Sequence, residues 1–224
     1  MNSFSVNQKL AAETIGTALL VATVVGSGIM AANLANGNDA IALLGNTLPT
    51  GAILVVLISI LGPISGAHFN PVVSLVLAMR KEITWRVCIQ YVVCQIAGAC
   101  FGSIVANLMF DLPPVQISTH LRGGTGQLLS EIVATFTLIG AIFGGIRFAP
   151  HTVAWLVGLT ITAAYWFTAS TSFANPAVAL ARMLSNTFAG IAPISVGPFI
   201  ICEVLGALLG LLFWGWLFSP KGKL

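Results

Sequence analysis

Charge is what this sequence has least of. Nine basic and six acidic residues make up 7% of 224 positions, against about 25% in a typical soluble domain. With 57% of its residues hydrophobic, the chain cannot clothe a water-facing surface. That excludes a soluble domain, and no linker or low-complexity tract is long enough to matter. The net charge of +3 is small and scattered, which excludes a nucleic-acid surface. Cysteine is also sparse. Cys88, Cys94, Cys100 and Cys202 have no zinc-type spacing, and they read as small buried hydrophobes. No nucleophile–base pair or metal cluster stands at usable spacing. The sequence therefore predicts neither an enzyme nor a metal or cofactor site.

What is abundant is apolar length. Runs of about 20 residues match the hydrocarbon thickness of a bilayer, so the chain reads as an integral membrane protein. Six spans are expected at approximately 9–34, 40–62, 84–110, 127–147, 151–169 and 197–218. The first lacks a cleavage site and reads as a retained span, not a signal peptide. Two shorter segments, roughly 70–79 and 175–183, each open on Asn-Pro. Ten helical residues rise about 15 Å, half of a core about 30 Å thick. Neither segment crosses alone; end to end, the two make one crossing.

The halves repeat. Glu13, Thr17, Leu20 and Gly26 recur at the same offsets as Glu131, Thr135, Leu138 and Gly144. "CQIAGACFG" (94–102) is matched by "CEVLGALLG" (202–210). The unit is span, span, half-span, span, used twice. Its three full spans are an odd number, so the second copy enters from the opposite face. This predicts one channel domain, residues 1–224, with inverted repeats at approximately 9–110 and 127–218, an architecture of transport proteins. With the N-terminus inside, Lys9, Arg80, Lys81, Arg86, Arg147, Lys221 and Lys223 fall on the inner side. Arg122 and Arg182 fall on the outer side. That bias predicts both termini cytoplasmic.

Asn is a preferred N-cap and Pro suits the first helical position, so Asn70-Pro71 and Asn175-Pro176 read as helix starts. Each such start carries unpaired N–H groups and roughly half a positive charge. The inverted repeat brings the two starts together near the midplane. The backbone before each, "SGAH" (65–68) and "TSFA" (171–174), cannot be helical. Non-helical backbone at membrane depth is tolerated only where protein buries it or water lines it. Carbonyls that accept, Asn amides that donate and helix ends that repel cations describe a narrow wet pore.

On "SGAHFNP", "FANPA" and the glutamates opening spans one and four, the chain resembles the major intrinsic proteins, the aquaporins and aquaglyceroporins, over nearly its whole length. The resemblance implies an all-α membrane fold of six transmembrane helices and two re-entrant half-helices. It makes Asn70 and Asn175 the paired pore asparagines, in the motifs Asn70-Pro71-Val72 and Asn175-Pro176-Ala177. It gives Gly66, Ala67, His68, Thr171, Ser172 and Phe173 as lining carbonyls, with Glu13 and Glu131 bracing the re-entrant loops. It also implies a homotetramer in the cell inner (plasma) membrane, with one pore per subunit.

Two departures from the family pattern bear on function. Val72 stands where Ala is usual, a mild change. Val178 stands where an Arg usually forms the outer constriction, which removes a fixed charge and five donors. Arg182, four residues on, shares the face of Val178. It is expected past the constriction, capping the half-helix; partial substitution for the missing Arg is the alternative. The remaining filter positions fall at Thr50, Ser172 and Ala163, with a shift to Ala164 or Tyr165 allowed by the short following loop. A filter of Thr50, Ala163 and Val178 is expected to be wider and less polar than a strict water filter. Ala179 replaces the Asp of many glycerol-conducting members. The run "AYWFTASTSFANPAVALARM" (164–183) resembles a bacterial subgroup that accompanies arsenic resistance. That implies neutral metalloid acids such as arsenite beside glycerol-like polyols and water.

Other residues read more blandly. His68 is expected to fix its loop and not to gate; His120 and His151 fall in loops. Glu203 replaces Gln95 of the other repeat and either braces or faces water. Gly98, Gly102, Gly206 and Gly210 suit close helix crossing. Trp85, Trp155, Trp166, Trp214 and Trp216 suit the interface belt. The competing readings are an ion-coupled secondary transporter, a strict water channel and a closed structural protein. Coupling needs a midplane carboxylate or carbonyl cage, whereas this sequence aims helix N-termini at the centre.

Overall fold

A computed structural model describes residues 4–219; Lys221 and Lys223, part of the charge bias, lie outside the described residues. Eight α-helices follow one another: α1 (Val6–Leu34), α2 (Asp39–Ser65), α3 (Pro71–Met79), α4 (Trp85–Met109), α5 (Gly124–Phe148), α6 (Val153–Phe167), α7 (Pro176–Arg182) and α8 (Pro193–Leu217). No strand occurs among the described residues. Five helices of 25 to 29 residues are long and apolar enough to cross a bilayer. The sixth, α6, has 15 residues, a rise of about 22 Å, and a 3₁₀ turn at Pro150–Thr152 leads into it. It stops at Phe167, two residues before the expected end, where Thr168 turns extended, its Oγ1 donating to the Ala164 carbonyl at 2.6 Å.

The helix starts follow the capping chemistry of the sequence. Ser5 and Gln8 form a reciprocal capping box on α1. The side chains of Asn38, Asn70, Thr84 and Asn175 accept from the first-turn N–H groups of α2, α3, α4 and α7. Each half-helix carries its proline at the first position.

Small residues let the long helices cross closely. A Cβ added at Gly98 or Gly102 would strike the Thr14 or Ala18 carbonyl of α1. On the other side, one at Gly206 would strike the Ile132 carbonyl of α5. Gly51 and Gly158 do the same for α2 against α6. With lipid outside, where no hydrophobic force presses helices together, such backbone approach supplies the packing contact. The outward faces are apolar, with Ile60, Ile89, Leu159 and Leu212 all exposed. Trp85, Trp155, Trp166 and Trp216 are exposed as well. Trp214 is an exception: its Nε1 donates to the Phe136 carbonyl and its ring stacks on Phe218.

Candidate functional site: a cavity between two half-helices

The two stretches that precede the half-helices are neither helix nor strand. Gly66 ends α2 in the left-handed conformation, φ 92°. Ala67 and Phe69, then Thr171, Ser172 and Ala174, also have positive φ, from 48° to 63°. Non-glycine residues pay for that conformation in strain, so something must hold them. Buried carboxylates do. Glu13 Oε1 accepts from Ser65 Oγ (2.7 Å) and His68 N (3.0 Å), and its Oε2 accepts from Phe69 N (2.8 Å) and Gln95 Nε2 (2.7 Å). Glu131 accepts from Phe173 N at 3.0 Å and Ala174 N at 2.7 Å. Glu203 takes the next amide, Asn175 N, at 3.1 Å. All three glutamates are fully buried, and Glu203 braces the loop instead of facing water.

The asparagines then tie the two stretches to each other. Asn70 Nδ2 donates to the Ala174 carbonyl at 2.7 Å, and Asn175 Nδ2 donates to the Phe69 carbonyl at 2.9 Å. Their Oδ1 atoms accept from Val72 N and Ala177 N at the starts of α3 and α7. An amide nitrogen has two hydrogens, so each asparagine keeps one donor beyond these bonds. The two half-helices therefore meet tip to tip.

Beside this junction runs a cavity of about 160 Å³. One wall is Gly66 to Asn70 and Ser172 to Asn175, with Val178 and Arg182 from α7. The other is apolar and follows helical spacing: Leu54 and Ile58 below Thr50 on α2, Leu138, Ile142 and Ile146 on α5, and Val153, Val157 and Ile161 below Tyr165 on α6. Twelve residues of α6 rise about 18 Å, so the cavity is elongated along the helices. His68 lines it, its Nδ1 paired with Ser74 Oγ at 3.0 Å and its ring edge-on to Tyr91.

Three expectations need correction. Ala163 is exposed on the outer face of α6 and does not reach the cavity; Tyr165 lines it instead. Two residues turn a helix by about 200°, so a gapless count put the wrong face forward. The Tyr165 hydroxyl lies 3.4 Å from Thr50 Oγ1, which itself donates to the Asn46 carbonyl. Thr171 is half-buried and outside the lining. Arg182 does not cap α7. It is 2% exposed and lines the cavity, its Nε donates to the Ala189 carbonyl, and its guanidinium lies 3.5 Å over the Phe173 ring. The cavity is therefore not free of arginine, and Tyr165 lines it as well.

Phe69 was not singled out from sequence. Its carbonyl receives Asn175 and its ring fills the space beside Gly16, where a Cβ would strike it. In the α4–α5 connection, Arg122 donates to the Gly190 and Phe188 carbonyls. Burial lowers the Arg122 pKa to about 10. His120 is also lowered, first by partial burial and then by the charges of Arg122 and Arg182.

Comparison with known proteins fits this geometry. The family model of the major intrinsic proteins matches residues 1–151. The chain belongs to that family. The chain is 58% identical over 220 residues to "Aquaglyceroporin AqpS" of Rhizobium meliloti (strain 1021), covering 98% of this chain and 94% of that one. It is 32% identical over 201 residues to "Probable aquaporin NIP4-2" of Arabidopsis thaliana, covering 86% and 70%. The aquaglyceroporin structure from Plasmodium falciparum superposes with a TM-score of 0.79 at 18% identity, over 96% of this chain and 98% of that one, which establishes the fold. As a major intrinsic protein, this chain is a non-enzymatic membrane channel for small solutes.

Proposed function

We propose that this channel passes small uncharged solutes down their gradients: glycerol-like polyols, neutral metalloid acids such as arsenite as As(OH)₃, and water. The observation that carries the reading is the two-sided cavity, hydrogen-bonding backbone and amides on one wall and aliphatic side chains on the other. A solute with hydroxyls on one side and a less polar remainder matches both walls at once, and spare asparagine donors with backbone acceptors replace its water shell. Asn70 and Asn175 serve as the paired pore asparagines, and Thr50, Ser172, Tyr165 and Val178 shape the narrow part. Val178 in place of a charged side chain leaves room for solutes larger than water. The relative named an aquaglyceroporin supports the polyol class.

The two halves work as inverted repeats, in a homotetramer of the inner (plasma) membrane with both termini cytoplasmic. Lys9, Arg80, Lys81, Arg86 and Arg147 on one side support that orientation. The bulk of Tyr165 favours a narrower alternative, a strict water channel. Vesicle swelling separates the two: the parent protein conducts glycerol and arsenite as well as water. Val178→Arg cuts solute flux on the order of tenfold and spares water more. Equal solute flux in that variant would remove Val178 from the narrow part, and a parent that passes only water would establish the alternative.

A further inference from the structure

The guanidinium of Arg182 has more to offer than its bonds use. Among the described residues, its only protein hydrogen bond runs from Nε to the Ala189 carbonyl. Arginine has five N–H donors, so the four on the two Nη nitrogens are unspent. Neither Nη is among the buried polar atoms that lack a partner, and the residue lines the cavity. The Nη groups are therefore not sealed in protein, and they belong to a residue at the cavity wall. Arg122 makes the contrast. It also faces the Phe173 ring, at 5.2 Å, but it spends Nε and Nη2 on the Gly190 and Phe188 carbonyls and stays outside the lining.

Helical geometry explains how Arg182 gets there. Val178 and Arg182 are four residues apart and share one face of α7. Side chains on a helix lean toward its N-terminus, which carries the long stem of Arg182 back toward the level of Val178. The Phe173 ring, held edge-on to Phe199 at 5.2 Å, gives the guanidinium a flat support, and Ala189 fixes its Nε end. The charge is thus pinned from two sides with its donor edge free.

We propose that Arg182 supplies, from one turn further along α7, the fixed cation and donor fork that position 178 lacks. It orients entering solutes and excludes protons and metal cations, while Val178 keeps the adjacent width. This rests on the solute-channel reading, and the test separates the two.

The test reads proton and sodium leak in vesicles alongside glycerol flux. Arg182→Met raises the leak on the order of tenfold and slows glycerol flux as the orienting donors are lost. Arg182→Lys keeps the charge and stays tight. Val178→Arg with Arg182→Met returns the charge by one turn and restores tightness, which a mere loop anchor would not do. A folded Arg182→Met protein as ion-tight as the parent overturns the proposal; absent glycerol flux in the parent instead counts against the solute reading alone. If the methionine variant does not fold, the parent protein answers. 2,3-Butanedione, which attacks Nη nitrogens, modifies Arg182 in peptide maps and slows glycerol flux. Arg182 left unmodified once exposed Arg86 is fully labelled would equally overturn the proposal.

Discussion

The two half-helices share a skeleton and differ in how it is held. The first re-entrant stretch hangs from Glu13, which takes four donors and is closed on its far side by the Gln95 amide. The second hangs from two carboxylates, Glu131 and Glu203, in the same setting. Glu203 Oε2 is buried without a partner among the described residues, at the place where the first half has an amide that donates. The halves differ likewise toward the cavity. Beside the shared backbone, asparagines and aliphatic side chains, the first contributes Thr50 and His68; the second contributes Tyr165, Val178 and Arg182. The shared part is what any such junction needs to exist. The divergent part holds the residues proposed above to set selectivity.

The sharpest break of the comparison comes from removing the braces. Glu13→Ala takes the acceptor from four donors; Gln95 Nε2 keeps Ser74 Oγ, and the other three are stranded at about 1–3 kcal/mol each, a sum comparable to a small domain's stability. No monodisperse protein is expected on size exclusion after detergent extraction. Glu131→Ala strands two, with Glu203 adjacent, so a folded protein with a lower melting temperature is expected. Next come the crossings. Gly98→Ala drives a methyl to 2.2 Å from the Thr14 carbonyl oxygen, whereas Gly210→Ala meets the Ile139 Cβ at 2.9 Å, a milder overlap. The first is expected to cost about 1–3 kcal/mol and the second less, measured by thermal unfolding in detergent. Smaller again is an exchange of the brace partners. Glu203→Gln supplies the donor the first half already has and is expected to match or exceed the parent's melting temperature. Gln95→Glu puts a second carboxylate beside Glu13 and is expected to lower it. Smallest is Tyr165→Phe. It removes one long hydrogen bond to Thr50, worth at most about 1 kcal/mol, so glycerol flux is expected to change less than about fivefold.

Much of this was legible in the residues. Asn-Pro as cap and first position marks both half-helices to within a residue or two, because capping is local chemistry. The paired Glu13 and Glu131 stand out because an ionisable group in a span is expensive. The cavity's apolar wall was not legible. Leu138, Ile142 and Ile146 or Val153, Val157 and Ile161 have the spacing of a helix stripe, but in a membrane helix apolar residues cover every face, so the stripe toward the cavity has no contrast. Ala163 against Tyr165 turned on the length of one loop, which spacing alone does not fix. Arg182 was misjudged for a related reason. Its position on the face of Val178 was evident, but where a long stem ends depends on Phe173 and Ala189, which only the folded loop brings to it.

The most direct measurement is solute entry into vesicles with every ion gradient collapsed by ionophores. A continuous path beside the joined tips of α3 and α7 predicts that glycerol and arsenite enter at an unchanged initial rate, in proportion to their own concentration difference, and never beyond equality. Uptake that stops when the ion gradients are gone, or accumulation above the outside concentration when they are present, would contradict it.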